Sequence, residues 1–312
     1  MSEIPAAVVA MAELRAQARV AKDWAESDRL RDEIAAAGFI IKDTAAGFEL
    51  SEKPPFEVVS FAQAFTDNSA AAHTSGVVVS LVVDGWPDDA VECLNALIEH
   101  TPADVRLVVV DCGNVDGAGL SLEKTADAVD DRNVEVIHLD QTLTAIGWAK
   151  LRTALLQHFT EEFHTILDMS TVFDGDALSP LISAISGNVT AAGWRGVMVN
   201  QDDAWRSFAD ATPGSVDALL SYLMVVRRSA ALATPINPKA KFYRNADLEW
   251  GLALRAAGGD LVMPEADLPC HQTRHHGYHD TDAEYRDRES KKTYDRLLQA
   301  FRNRPEILVK RS

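Results

Sequence analysis

Along the first fifty residues the apolar positions recur at helical spacing and then give way to a β-prone stretch. Leu14, Ala18, Ala21, Ala25, Leu30 and Ile34 fall on one helical face of an alanine-rich, charged segment with no proline after Pro5. Gly38 supplies a stop, so residues 4–37 are predicted as one or two helices. Residues 39–50, with Asp43 and Gly47 flanking a turn, predict two short strands. Residues 51–75 contain Pro54-Pro55 and Asp67-Asn68-Ser69 without a sustained period and read as a linker. From Gly76 the pattern changes to apolar runs at 77–83, 105–110, 134–139 and 164–167, separated by helical stretches at 88–99, 120–129 and 149–159. Near-continuous apolar strands alternating with helices predict an α/β domain, a mostly parallel sheet with helices on both faces. Residues 277–312 are polar, and 282–301 predict a solvated helix with Tyr285, Tyr294, Leu297 and Leu298 on one side. The expected layout is a module at 1–50, a linker at 51–75, a large domain at 76–276 and a tail at 277–312.

Ligands of open α/β sheets bind outside the carboxyl ends of the strands. Asp84, Asp111 and Asp168 each close an apolar strand and so are expected to converge on one edge.

Composition narrows the partners. Among 312 residues, 30 Lys and Arg stand against 47 Asp and Glu, a formal charge of −17, which opposes nucleic acid binding. Cys93, Cys112 and Cys270 are far apart and lack a C-x-x-C spacing, arguing against a disulfide framework or a cysteine zinc site. No apolar run approaches the ~18 residues of a membrane span, and the first fifteen residues lack the features of a signal peptide, so the cytoplasm is the expected location.

Two stretches resemble known families. Val109-Val110-Asp111-Cys112-Gly113-Asn114-Val115-Asp116-Gly117 is similar to the V-D-x-G-S-x-D-G element of family 2 glycosyltransferases, nucleotide-sugar enzymes of the GT-A fold. Other landmarks follow in the family's order. Gly147-Trp148-Ala149-Lys150-Leu151-Arg152-Thr153 resembles its N-x-G-x-A-x-A-R-N helix start, and Ile166-Leu167-Asp168-Met169-Ser170 sits at its L-D-x-D metal motif. Tyr222-Leu223-Met224-Val225-Val226-Arg227-Arg228 resembles a later strand with paired basic residues. The stretch from Asp247-Leu248 through Leu261-Val262 resembles the D-L-x-x-R-L-R-x-A-G-x-x-V helix and strand, followed by Pro264 and His271.

The resemblance implies a GT-A-like domain that transfers a sugar, with inversion, from a nucleotide-diphosphate sugar to an unknown acceptor. It implies donor contacts at Asp84, Asp111, Asp116, Asp168, Arg152 and Arg274: Asp111 toward the base, Asp116 supporting that loop or the ribose, Asp168 at the ribose or a metal-bound water. It also implies a divalent cation, Mn²⁺ or Mg²⁺, at Asp168 and His271.

Two family positions differ. Ser170 replaces the second metal-motif aspartate, removing an anionic ligand. Arg244 and Asn245 stand where the family has its Glu-Asp base pair, which leaves Asp247 as the nearest carboxylate for a catalytic base and equally as a cap on its own helix. A non-catalytic module of the same fold, binding a nucleotide or a protein partner, is therefore the alternative. His271, His275, His276 and His279 with Arg274 and Tyr278 form a dense polar cluster, either a closing loop over a diphosphate or, at spacings of four, an imidazole face.

The segment from Ala18-Arg19-Val20-Ala21-Lys22-Asp23-Trp24 to Asp43-Thr44 and Gly47 resembles the carboxyl-terminal tail of cysteinyl-tRNA synthetases. The synthetase catalytic domain has no counterpart here. Six Lys or Arg against nine Asp or Glu in residues 1–50 are a poor footing for RNA, so a module packing on the next domain or on a protein partner is expected, with docking to the translation apparatus as a further reading.

Overall fold

The computed structural model describes residues 4–44 and 47–311, which divide into two compact units, 1–57 and 58–312. In the first, helices α1 (Ala6–Val20) and α2 (Trp24–Ala36) precede a hairpin of β1 (Phe39–Thr44) and β2 (Gly47–Glu52). The turn expected between these strands, residues 45 and 46, lies outside the described residues. Asp23 caps α2 by accepting the Glu26 N–H at 3.1 Å. Val8, Ala12, Ile34 and Phe39 form this unit's core. Arg15, 5% exposed, holds Asp43 through two hydrogen bonds.

The second unit opens with β3 (Val58–Val59), α3 (Phe61–Ala64), β4 (Thr74–Val83), α4 (Pro87–His100), β5 (Arg106–Cys112), α5 (Ala118–Asp127) and β6 (Val134–Leu139). It continues with α6 (Leu143–Ile146), α7 (Trp148–His158), β7 (Glu161–Leu167), β8 (Thr171–Phe173), α8 (Leu178–Ala184), β9 (Val189–Gly193), β10 (Gly196–Val199) and β11 (Phe208–Asp210). Then come β12 (Gly214–Ser215), β13 (Ala218–Leu219), β14 (Leu223–Arg227), α9 (Arg228–Ala233), α10 (Ala246–Ala256), β15 (Asp260–Met263), β16 (Cys270–Gln272), α11 (His276–His279) and α12 (Ala283–Phe301).

Nine strands form one sheet in the order β12-β15-β9-β14-β7-β4-β5-β6-β3. The run from β3 to β7 is parallel, and β14 enters antiparallel between β7 and β9. The expected linker thus contributes β3 to the sheet edge, where the Val58 and Val59 backbone pairs with β6.

The apolar run of β4 follows from burial on both faces. Val77, Val79, Leu81 and Val83 pack with Leu94 and Leu97 of α4 and Leu122 of α5, while Val78 packs with Leu151 and Leu155 of α7 on the opposite face. Each such leucine contributes roughly 1.5–3 kcal/mol of burial. Leu297 and Phe301 seat α12 against Leu248 and Leu252 of α10. Buried Asp217 ties down the tail by accepting the Val309 N–H at 2.7 Å.

Candidate functional site

Parallel β4 and β7 are neighbours with Leu81 opposite Leu167, so Asp84 and Asp168 leave the sheet side by side. Burial, and then the charge of Asp168, push the Asp84 carboxyl up to about 6. Burial also opposes the charge of Asp168, but the His275 imidazole and Ser170 outweigh it and hold that carboxyl below its ordinary range. Behind them Arg152 of α7, 6% exposed, donates from its two terminal nitrogens to the carbonyls of Ser80 (2.9 Å) and Leu167 (2.8 Å). Burial lowers its pKa to about 10, and its Nε is left without a partner. Trp86, Trp148, Lys241 and Tyr243 complete the walls, and His276, Gly277, Thr281 and Tyr285 close the mouth. The space is narrow, about 70 Å³, and partly open to solvent.

A second, wider cavity of about 620 Å³ adjoins the first and shares Asp168, Ser221 and Tyr243 with it. Asp247, 6% exposed, stands in the first turn of α10, whose start is set by Asn245 in a left-handed conformation (φ 66°). One carboxylate oxygen of Asp247 accepts the Ser221 N–H (3.1 Å) and hydroxyl (3.3 Å), and the other accepts the Leu248 N–H (2.9 Å). Burial drives this carboxyl up to about 6 despite those donors. Asp247 therefore serves as an acceptor for its own helix and also lines the cavity.

His275 is the histidine beside Asp168. It is 7% exposed, and its Nε2 lies 3.1 Å from Asp168 Oδ2 yet at an angle that leaves it without an aligned hydrogen bond. The ring is held between Tyr222 and Tyr243, at centroid distances of 5.1 and 5.0 Å. An orphaned imidazole nitrogen next to a carboxylate oxygen fits a divalent cation. Ser170 gives its hydroxyl to Asp168 and adds no charge. Among the described residues no three His, Cys, Asp or Glu are grouped to hold a metal by themselves, so a cation here needs ligands from a phosphate or water.

Several expected residues lie elsewhere. His271 is on β16, which pairs with β8, and its Nδ1 is 2.8 Å from Asp174; it lines neither cavity. The placement of His271 thus differs from the ligand expected, because the strand ends at Gln272 and the following turn carries His275 back to Asp168. His271, His275 and His279 also share no helical face, since α11 begins only at His276. Asp111, expected toward a base, is fully buried: it faces His138 on β6 (2.9 Å) and accepts the Asn114 N–H (3.0 Å). Burial works against a charged His138, but Asp111 and Glu123 outweigh it and raise its pKa. A Cβ at Gly119 would stand 2.2 Å from the Asp111 carboxylate, so only glycine admits this arrangement. Asp116 is exposed, in a left-handed conformation, and lines neither cavity. Arg274 lines the wider cavity but is bound by both terminal oxygens of Asp280.

The motifs left Trp86, Lys241, Tyr243 and Tyr285 unmarked. The available signal was the sequence Asp84-Gly85-Trp86 at a strand end, where Trp86 takes a left-handed backbone (φ 52°) that turns its ring over the cavity.

Strand-end carboxylates open on two adjoining cavities of a mostly parallel sheet, and the fold is that of GT-A glycosyltransferases. Two solved glycosyltransferases share it. A mannosyltransferase from Pyrobaculum calidifontis, in complex with GDP-Man and Mn²⁺, superposes with a TM-score of 0.55 at 17% identity, over 79% of this chain and 68% of that one. GalNAc-T7 with UDP, GalNAc and Mn²⁺ gives 0.56 at 15% identity, over 76% and 51%.

Residues 84–236 match the family model of glycosyl transferase family 2. Residues 1–48 match the cysteinyl-tRNA ligase anticodon binding domain. There the chain is 55% identical over 40 residues to the cysteine–tRNA ligase of Chromobacterium violaceum and 64% over 33 residues to that of Methylococcus capsulatus. These stretches are 13% and 11% of this chain and span only 9% and 7% of the two ligases.

Proposed function

We propose that the protein is a nucleotide-sugar-dependent glycosyltransferase acting with inversion, its donor on the Asp84 side and its acceptor on the Asp247 side of Asp168. The observation that carries this reading is the meeting of Asp84, Asp168 and the orphaned His275 Nε2 where two cavities join. Trp86 and Trp148 offer faces to a base or sugar, and Lys241 and the free Nε of Arg152 offer donors to phosphate. Asp111 and Asp116 are read as supports of the loop beside Gly85 rather than as direct donor contacts; a Cβ at Gly85 would stand 3.8 Å from the Asp116 carboxylate. A divalent cation held by Asp168 and His275 would neutralise charge on a leaving diphosphate.

Asp247 is the proposed base, since a pKa near 6 suits proton abstraction close to neutrality. The acceptor hydroxyl gives its proton to Asp247 while its oxygen bonds to the anomeric carbon, and the carbon–oxygen bond to the diphosphate breaks. Residues 274–281, which border this narrow space, are read as a lid that moves to admit the donor and excludes water during transfer.

A non-catalytic nucleotide binder is the second reading, favoured by Ser170 at the metal motif and by the three hydrogen bonds that tie down Asp247. Residues 1–50 are proposed as a docking module for a protein partner, supported by Leu14, Val20 and Trp24, which are 52%, 86% and 56% exposed. No helix among the described residues is long and apolar enough to cross a membrane.

The deciding experiment is a thermal-shift and calorimetric screen of UDP, GDP, TDP and their sugars with Mn²⁺, Mg²⁺ or EDTA, followed by assay of sugar release. A ligand at a hundred times its dissociation constant should add about 2.7 kcal/mol of stability. Binding with turnover supports the transferase, binding without turnover the second reading, and no binding by any of them removes both.

A further inference from the structure

The wider cavity carries a charge arrangement that the transfer step leaves unused. This acidic chain generally spends its arginines on carboxylates, as with Arg15 on Asp43, Arg227 on Glu162 and Arg296 on Glu249. Others, such as Arg152 and Arg228, are satisfied by backbone carbonyls, whereas Arg195 and Arg244, both lining the cavity, have neither. Arg195 has no hydrogen-bond or ion-pair partner among the described residues; its guanidinium lies 4.4 Å over the Trp194 ring and 5.7 Å from the Tyr222 ring. Arg244 gives one hydrogen bond to the Tyr278 hydroxyl (3.1 Å) and lies 5.0 Å from that ring.

A guanidinium resting on an aromatic face is held in place while its in-plane N–H groups stay free, the geometry that grips a planar carboxylate or a phosphate edge-on. The vertical order of charge is equally informative. Asp247 and His275 are buried and Asp168 largely so, whereas Arg195 and Arg244 are exposed. Arg274, the third cation of the lining, is already matched by Asp280. A ligand complementary to this cavity is neutral at its inner end and negative at its outer end.

We infer that the acceptor is an anionic hydroxy compound, with a phosphate or carboxylate on Arg195 and Arg244 and a hydroxyl reaching inward to Asp247. The inference rests on the wider cavity being the acceptor side.

The test uses the full chain and two simple anions, inorganic phosphate and malonate, titrated by calorimetry into the wild type, the Arg195→Ala/Arg244→Ala double variant and the Arg195→Lys/Arg244→Lys double variant. UDP, GDP and TDP are titrated in parallel. Both arginines are exposed, so the variants should keep the wild-type circular dichroism and melting temperature. The expected result is saturable anion binding by the wild type, weakened at least roughly tenfold in the alanine variant and partly restored by lysine, with nucleotide affinity unchanged. A preference for phosphate or for malonate then identifies which anion the acceptor carries.

Absence of binding at tens of millimolar anion, or equal binding by the alanine variant, would overturn the inference. So would an equal loss of nucleotide affinity, which would place both arginines on the donor diphosphate. Failure of every nucleotide to bind the wild type is reported by its own arm and would overturn the transferase reading itself.

Discussion

The two cavities share Asp168 but differ in almost everything else. On the Asp84 side the rings of Trp86, Trp148, Phe242, Tyr243 and Tyr285 stand among the walls, the space is about 70 Å³ and a short segment borders it; on the Asp247 side the space is about 620 Å³ and arginines stand at the rim. Each holds one carboxyl raised to about 6, but for different reasons: Asp84 is pushed by burial and by a neighbouring carboxylate, Asp247 by burial against its own hydrogen bonds. One half is thus built to enclose a ligand with flat surfaces and exclude water, the other to admit and orient something polar. Asp168, where they meet, is the place at which a bond could pass from one ligand to the other.

The largest expected effect breaks the comparison at that shared point. Asp168→Asn should remove the charge that His275 faces and lower sugar release by on the order of 10³-fold. Phosphate affinity at the rim should not fall, since the lost carboxylate only repelled an anion bound there. Wild-type turnover in this variant would sink the donor assignment.

The next effect separates the two raised carboxyls. A folded-state pKa of about 6 for Asp247, against 3.8 for a free aspartate, means that the folded chain binds this proton more tightly than the unfolded chain. Its contribution to stability is complete below pH ~4 and is lost as the pH rises through ~6. Asp247→Asn removes that dependence. Between pH 4 and pH 7 the stability difference between variant and wild type should move in the variant's favour by up to about 3 kcal/mol, while turnover is lost. Urea denaturation at both pH values measures it, and a pH-independent difference would show that Asp247 is not held near 6.

Much of this arrangement was readable before any coordinates. Asp84 and Asp168 share an edge because each ends an apolar strand, and hydrophobic patterning marks strand ends well. The helix pair and hairpin at the amino end were legible from a nearly complete motif. What was not legible depended on register and close approach. The choice of His275 over His271 is made by the pairing of β16 with β8, and nothing in the spacing of four histidines encodes it. Asp111 turns away from the cavities because the β5–β6 register sets His138 opposite it and Gly119 leaves room for its carboxylate. The aromatic walls come from four separated segments that only tertiary packing brings together.

The smallest effect sharpens the comparison by loosening the segment that borders both cavities at its contact with the Asp84 side. His276 stacks on Trp86 with ring centroids 5.0 Å apart and planes 18° from parallel, and its two ring nitrogens contact Asp89 and Asp280. Asp89 lies on α4 and Asp280 just beyond α11, so this one imidazole fastens the covering segment to the body of the domain. His276→Ala removes the stack and both contacts, each a partly exposed interaction of about 0.5–1 kcal/mol. The closed state should then be less favoured by about 1.5–3 kcal/mol, speeding nucleotide release by roughly tenfold to a hundredfold. Phosphate binding in the wide cavity should weaken less than nucleotide retention, because neither Arg195 nor Arg244 touches His276 and only Arg244 rests on the same segment, through Tyr278. Stopped-flow release of a fluorescent nucleotide, set beside calorimetry with phosphate, reads both sides in one protein. A variant that slows both equally would show that the two cavities move as one body and that their division of labour is not built into the lid.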